Sequence, residues 1–374
     1  MPAKPLLPCD LMDHELNLDA DGATLTAALT DIASVSGEEK PLADAIERAL
    51  APLPHLTVDR FGNTLVARTS LGHQERVVLA GHIDTVPLAG NVPSSFNPER
   101  TRLTGCGTSD MKSGVAVQLR LAAGLTGTRS RPNAPSRDVT YVFYECEEVD
   151  VARNGLFKLS RSAPELLAGD FAVLLEPSGG AVEGGCQGTL RAAVTATGVR
   201  AHTARSWMGR NAIHEAAEIL EVLRSWEART PVVDGLEYHE GLNAVAISGG
   251  VAGNVVPDSC TVTVNYRFAP DRSGSEAEAY IRSLFSAWEV SLLDVAGGAR
   301  PGLSFPAAAA FVAAVGGTPR AKLGWTDVAR FAELGIPAVN YGPGIPDLAH
   351  TPGEYVEVAA IAECESRLRA WLGG

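Results

Sequence analysis

The sequence lacks clusters of basic residues and long apolar runs. It carries 31 Lys and Arg against 44 Asp and Glu, which gives a formal net charge of −13 over 374 residues. Because nucleic-acid binding requires concentrated positive charge, we expect no nucleic-acid partner. No apolar run approaches the roughly 20 residues of a membrane span, and the N-terminal segment lacks an apolar signal core. We therefore expect a cytoplasmic protein with no membrane partner.

The sequence also lacks paired cysteines and nucleotide-binding glycine motifs. Its six cysteines show no CxxC spacing, which favours packed thiols in a reducing compartment over disulfides. Neither GxGxxG nor GxxxxGK[ST] follows a predicted strand, and this disfavours an unrelated nucleotide-binding α/β protein. A chain of 374 residues exceeds the usual size of one core, so two domains are expected.

The hydrophobic pattern differs between two parts of the chain and predicts two domains. Residues 1–188 and 302–374 alternate short buried runs with helical patterns, which predicts an α/β domain with a mainly parallel sheet flanked by helices. Residues 189–301 contain longer alternating strands and the amphipathic segments Asn211–Arg229 and Ser275–Trp288, which predicts a smaller inserted α+β domain.

Histidines and carboxylates follow several of the buried runs. The run Val77–Ala80 stops at Gly81 and delivers His82 to a strand end, with Asp84 two residues on and on the same side. The pattern recurs at Asp110 before a helix, at Glu147 and Glu148 after Val139–Tyr144, at Glu176 after Phe171–Leu175, and at His350. Two His and at least three carboxylates at one sheet edge suit two Zn²⁺ ions that share a bridging carboxylate.

Each of these residues, taken on its own, also has a purely structural explanation. A single His at a strand end is more often packed in the core than bound to a metal, and Glu145–Glu148 could be a solvated acidic turn.

A helix start is predicted upstream of these residues. Ser36 and Glu39 have the spacing of a capping box for a helix that ends at Leu50.

Several motifs carry a resemblance to a known family: GHIDTVP at 81–87, GCGTSDMK at 105–112, Glu147-Glu148, Glu176-Pro177, GNVVP at 253–257, and His350. With these, the chain resembles the co-catalytic zinc amidohydrolases of the aminoacylase/carboxypeptidase G2 group, the M20 family. The resemblance implies a zinc-exopeptidase-like catalytic domain, an inserted ferredoxin-like domain that acts as lid and dimerisation element, and a homodimer. It also implies two zinc ions, for which Co²⁺ or Mn²⁺ could substitute.

The resemblance assigns the metal ligands. It implies that His82 and Glu176 bind one zinc ion, that Glu148 and His350 bind the other, and that Asp110 bridges them. It further implies a cis peptide bond after Asp110.

The resemblance also assigns three catalytic roles. Asp84 would hold the imidazole of His82, a role that its position two residues away fits independently. Glu147 would be the general base, and His202 of the inserted domain would donate a hydrogen bond to the oxyanion. The alternative for His202 is a surface histidine before a helix.

Weaker motifs narrow the resemblance to the branch that hydrolyses N-succinyl-LL-2,6-diaminopimelate. They are Glu183–Thr189, Arg200–Trp207, Val264–Asp271 and Gly324–Phe331. Arg267, Asn254 and Thr326 are expected to bind the substrate's carboxylate, because Arg can grip such a group bidentately. The alternatives are a related N-acyl-amino-acid deacylase such as an acetylornithine deacetylase, a metallo-carboxypeptidase or dipeptidase, and a non-catalytic binding protein on the same fold.

Overall fold

The computed structural model describes residues 15–126 and 134–373, which form two compact units. The first unit contains the described residues up to Val182, Phe305–Thr318 and those from Leu334 onward. The second contains Glu183–Ser304 and Pro319–Glu333. Cys9 lies outside the described residues. Within them, no helix combines the length and the apolar character that crossing a bilayer requires.

The described residues contain the helices α1 (Gly22–Asp31), α2 (Lys40–Leu50), α3 (Ser113–Gly124), α4 (Gly155–Ser162), α5 (Ala212–Ser225), α6 (Gly274–Leu284), α7 (Pro306–Val315), α8 (Val328–Glu333) and α9 (Val358–Gly373).

The strands of the described residues are β1 (Thr57–Phe61), β2 (Thr64–Arg68), β3 (Arg76–His82), β4 (Ser95–Phe96), β5 (Arg102–Thr104), β6 (Asp138–Tyr144), β7 (Phe171–Leu174), β8 (Glu183–Gly184), β9 (Gly188–Thr197), β10 (Ala201–His202), β11 (Val232–Val233), β12 (Leu236–Glu237), β13 (Gly241–Gly249), β14 (Val255–Val256), β15 (Ser259–Phe268), β16 (Glu289–Ala296), β17 (Arg320–Ala321), β18 (Ala338–Asn340) and β19 (Tyr355–Glu357).

The first unit is built on a mainly parallel sheet. Its strands run in the order β1-β2-β6-β3-β7-β18. β3 is parallel to β6 and β7, and β18 is parallel to β7, while β1 and β2 are antiparallel. Every residue of β6 and β7 is buried, as expected for strands covered on both faces. Helix α3 packs against β3 and β6 and also contacts α1 and α9. The predicted α/β architecture is confirmed.

The second unit contains a four-stranded antiparallel sheet in the order β13-β15-β9-β16. With α5 and α6 between the strands, the chain order is β-α-β-β-α-β, the ferredoxin-like arrangement. Residues alternate strictly along β15, so that Val262, Val264 and Tyr266 are buried against the helices while their neighbours lie on the opposite face. The predicted α+β character of this part of the chain is confirmed.

The second unit is larger than the predicted inserted domain of residues 189–301. It begins at Glu183 and also takes in Pro319–Glu333, which the prediction placed in the catalytic domain. Strand β8 pairs in parallel with β17, and the buried carboxylate of Glu183 forms ion pairs with Arg320 at 2.9 Å and Lys322 at 3.0 Å. These contacts join distant sequence segments, so no local composition change reveals them.

Candidate metal centre

Three adjacent parallel strands deliver predicted site residues to one edge of the sheet. His82 is the last residue of β3, Glu147 and Glu148 follow the end of β6, and Glu176 follows the end of β7. Because β6, β3 and β7 are neighbours and point the same way, their carboxyl ends open onto a common crevice. His82 is 1% exposed and Glu176 is 5% exposed, so both side chains are shielded from bulk water.

Asp110 lies between the two histidines. Its Oδ1 is 3.1 Å from Nε2 of His82, and its Oδ2 is 3.5 Å from Nε2 of His350. Nε2 of His350 also lies 2.8 Å from Oε1 of Glu148. One carboxylate thus turns a different oxygen toward each imidazole, which is the arrangement that a bridging ligand requires. The peptide bond between Asp110 and Met111 is cis, as the resemblance implied.

Three groups of side chains present ligand atoms that lie within 4.8 Å of one another. They are His82, Asp110 and Glu176; Asp110, Glu148 and His350; and His82, Glu147 and Glu148. The first two groups are the predicted ligand sets and share Asp110. Imidazole nitrogens and carboxylate oxygens are donors that Zn²⁺ accepts. The residues present therefore fit a pair of divalent cations.

The electrostatics of the cluster favour positive charge. Hydrogen bonds with Asp110 and Glu148 raise the pKa of His350 to about 10. Burial disfavours a charged His82, but hydrogen bonds to Asp110 and Asp84 outweigh it and raise the pKa well above its usual value. Burial also opposes ionisation of Asp110, yet the two histidines lower its pKa. The Asp110 carboxylate thus stays ionised between the two imidazoles.

Asp84 holds more than the imidazole of His82. The Nδ1 atom of His82 lies 3.4 Å from Oδ1 of Asp84 and 3.1 Å from its carbonyl oxygen. The same carboxylate accepts hydrogen bonds from the backbone N–H groups of Glu147 at 3.0 Å and Glu148 at 3.1 Å, and from the Ser36 hydroxyl at 2.7 Å. A fully buried Asp84 therefore joins the ends of β3 and β6.

Ser36 and Glu39 do not form the predicted capping box. Glu39 occupies the N-cap position of α2 but makes no side-chain capping hydrogen bond there. Its buried carboxylate accepts hydrogen bonds from the N–H groups of Gly37 at 2.7 Å and Cys146 at 3.2 Å. The spacing is correct for a capping box, but Ser36 instead donates a hydrogen bond to Asp84, and Glu39 accepts one from Cys146. Both residues support the turn that carries Glu147.

The other four predicted site residues lie in the second unit. β10 pairs with β14, which sets His202 opposite Val255, and the Asn254 carbonyl accepts a hydrogen bond from the Thr203 N–H at 3.0 Å. His202 and Asn254 are therefore close neighbours. Arg267 lies half-buried on β15, on the face away from the helices. Thr326 is 4% exposed and precedes α8, where its carbonyl accepts from the Cys186 thiol at 3.6 Å.

Known proteins resemble this chain over nearly its whole length. The family described as peptidase family M20/M25/M40 matches residues 78–372. A protein of Mycobacterium tuberculosis named putative succinyl-diaminopimelate desuccinylase DapE is 52% identical over 96% of this chain and all of its own length. The succinyl-diaminopimelate desuccinylase of Corynebacterium glutamicum is 46% identical over 96% of this chain and 97% of its own.

A solved structure from Bacillus subtilis, described as a dinuclear metal binding peptidase from the M20 family, shares the fold. It has a TM-score of 0.67 and 16% sequence identity, with 94% of this chain and 96% of that one covered.

Proposed function

The chain belongs to peptidase family M20/M25/M40, and from that membership we propose that it is a succinyl-diaminopimelate desuccinylase. It hydrolyses the amide of N-succinyl-LL-2,6-diaminopimelate and releases succinate and LL-diaminopimelate, a precursor of lysine and peptidoglycan. The identity of 52% and 46% with two proteins of that name, each over 96% of this chain, carries the proposal. The alternatives of a different N-acyl-amino-acid deacylase, a carboxypeptidase or a non-catalytic protein are therefore not favoured.

We propose that the cluster binds two Zn²⁺ ions, for which Co²⁺ or Mn²⁺ can substitute. His82 and Glu176 would hold one ion, Glu148 and His350 the other, and Asp110 both. The support is the position of Asp110, whose two oxygens face different imidazoles at 3.1 and 3.5 Å. When bound, such ions polarise a carbonyl and acidify water.

Glu147 would be the general base. Its backbone N–H is fixed by Asp84, and one of its carboxylate oxygens lies within 4.8 Å of ligand atoms of His82 and Glu148. From that place it can accept a proton from the attacking water and return it to the leaving nitrogen. Asp84 keeps His82 and the Glu147 turn in fixed relation, so the base stays beside the ligands.

His202 would stabilise the oxyanion. Its Nδ1 accepts a hydrogen bond from the Ala204 N–H at 3.0 Å, so in the neutral ring the proton lies on Nε2. The exposed ring therefore offers an N–H donor to the negative oxygen that develops during attack.

Arg267, Asn254 and Thr326 would recognise the substrate. Arg267 is half-buried with Arg191 and Asp294 as charged neighbours, and burial lowers the pKa of its guanidinium. An anion bound there would offset both the burial of Arg267 and its repulsion by Arg191. The succinyl carboxylate is such an anion, and acetyl groups lack it.

The substrate is tested by comparing two amides on zinc-loaded protein. We expect kcat/KM for N-succinyl-LL-2,6-diaminopimelate to exceed that for N-acetylornithine by about 10–100-fold, because a charge-assisted hydrogen bond contributes about 1.5–3 kcal/mol. Steady-state kinetics with both substrates measures this ratio. Preference for N-acetylornithine would reject the proposed substrate and leave the amidohydrolase chemistry intact.

We further propose a cytoplasmic homodimer that forms through the second unit. β13 lies at the edge of its sheet, and from Asn243 to Gly249 its residues are exposed. Ile247 on this strand is 54% exposed, and Ile213 and Leu220 of the neighbouring α5 are 42% and 40% exposed. An apolar edge strand beside an apolar helix face is a typical surface for strand pairing between two copies.

Replacing Ile247 with Asp should convert the dimer to monomer at micromolar concentration, since a charge would be buried without a partner at the interface. Leu293→Asp is the matched control, because Leu293 is 56% exposed on β16, the opposite edge of the same sheet. Analytical ultracentrifugation measures both. A dimer that survives Ile247→Asp, or that dissociates equally with Leu293→Asp, would exclude this edge as the interface.

A further inference from the structure

We infer that Glu354 is a positioning residue for the metal centre, one that holds the turn carrying Asp110 and ties it to the turn carrying His350. Glu354 is 2% exposed and does not belong to any of the three ligand groups. The inference rests on the metal site of the proposed function and adds to it a residue that acts through Asp110.

The carboxylate of Glu354 accepts hydrogen bonds from backbone N–H groups of the turn that ends at Asp110. Its Oε2 accepts from Gly107 at 2.9 Å, and its Oε1 accepts from Ser109 at 2.8 Å and from Asp110 at 2.9 Å. The Glu354 carbonyl accepts a fourth N–H, from Gly105 at 3.0 Å. A single residue thus accepts hydrogen bonds from four backbone N–H groups within six consecutive residues, and three of these belong to the buried residues Gly105, Gly107 and Ser109.

These hydrogen bonds fix the direction of the Asp110 side chain. The Asp110 N–H is anchored directly, and Gly107 adopts a φ of +83°, a left-handed conformation in which a residue with a Cβ would be strained. The backbone at Asp110 departs from helical geometry, with φ −120° and ψ 94°. Without the Glu354 carboxylate, the N–H groups of Gly107 and Ser109 would be buried donors lacking their acceptor.

The same residue connects Asp110 to the second histidine. Glu354 lies four residues after His350, and its N–H donates to the Thr351 carbonyl at 3.1 Å, which closes a tight turn between them. His350 itself has a φ of +62°, so its backbone is held in an uncommon conformation. Asp110 and His350, both proposed ligands of one ion, are therefore fixed to each other through Glu354.

Replacing Glu354 with Gln tests the inference with little change in volume. Gln keeps one acceptor oxygen, but its NH₂ group would face an N–H donor where the carboxylate had accepted. We expect the weaker-bound divalent ion to lose about 10–100-fold in affinity, the loss typical when a residue that orients a ligand is replaced. Titration of stripped protein with Zn²⁺ against a chromophoric chelator measures the affinity. The visible spectrum of Co²⁺-loaded protein should also change, because the ligand geometry changes.

Asp138→Asn is the matched control. Asp138 is also buried and also accepts three backbone N–H groups, from Leu71 at 2.7 Å, Gly72 at 3.1 Å and His73 at 3.0 Å. It lies at the start of β6, about 20 Å along the strand from the end that carries Glu147. Its replacement should lower thermal stability as Glu354→Gln does, but it should leave the metal affinity and the Co²⁺ spectrum unchanged.

Glu354→Asp, which withdraws the carboxylate by one methylene, serves as a second variant with the same expected direction if Glu354→Gln cannot be purified folded. Wild-type affinity and an unchanged Co²⁺ spectrum in a folded variant would overturn the inference, as would an equal loss of affinity in Asp138→Asn. Failure of the wild-type protein itself to bind two ions would instead reject the proposed metal site.

Discussion

Glu147→Gln should lower kcat by at least about 10²–10⁴-fold, the range typical of general-base catalysis, while the protein keeps both metal ions. Gln matches Glu in shape, but its amide cannot accept a proton from water. The backbone N–H at position 147 would still donate to Asp84, so the turn should keep its place. The defect should therefore appear in kcat and leave the metal content unchanged.

Glu145→Gln is the control for this experiment. Glu145 lies in the same turn, but its carboxylate accepts from the Asn63 N–H at 3.1 Å and from Lys158 at 3.3 Å. We expect its replacement to change kcat little. Steady-state kinetics together with elemental analysis of each variant separates the cases. Loss of one metal equivalent in Glu147→Gln would show that Glu147 is a ligand and that the roles of Glu147 and Glu148 are exchanged.

The position of the site in the fold could be predicted because it depends on local patterns. Short apolar runs predict buried strands, and in a parallel sheet the residues after each run meet at one edge. His82, Glu148 and Glu176 follow this rule on the adjacent strands β3, β6 and β7. The order of these strands in the sheet was not needed to predict the place of the site. All three strands are buried and parallel, so their carboxyl ends lie at the same edge.

Apart from Asp84, the residues that support the proposed ligands could not be predicted, because their partners are far away in sequence. Glu354 binds backbone groups 244 to 247 positions before it, and Glu39 binds Cys146, which lies 107 positions after it. Ser36 and Glu39 matched a local capping motif, and that motif predicted the wrong partners. A buried carboxylate has no periodic signature, so only the tertiary contacts identify it.

The same reason explains the boundary of the second unit. The alternation of buried residues in β9 and β15 marks the four-stranded sheet in the sequence. The two-residue strands β8 and β17 carry no pattern, and their pairing links Glu183 to Arg320 across 137 positions. Thr326 consequently belongs to the second unit.

His202→Ala should lower kcat by about 10²–10³-fold, the usual effect of removing one oxyanion donor. The exposed ring of His202 presents its Nε2–H outward, since Nδ1 is engaged by the Ala204 N–H. His214→Ala is the control, because His214 is also exposed in the second unit but lies on α5. KM should change less than kcat, because the hydrogen bond forms as negative charge develops on the oxygen.

The family resemblance implies that His202 completes the active site of the partner subunit. If so, mixing two variants that are each defective should restore part of the hydrolytic activity. In a mixed dimer of His202→Ala and Glu147→Ala chains, one site combines the intact Glu147 of one chain with the intact His202 of the other, and the second site carries both defects. With random exchange about half of the dimers are mixed and half of their sites are whole, so roughly a quarter of wild-type activity should return. Hydrolysis is assayed after differently tagged chains have been shown to exchange. Because each parent protein alone is nearly inactive, even a partial recovery of activity is measurable. No recovery of activity despite demonstrated exchange would place His202 in its own subunit's site or outside catalysis.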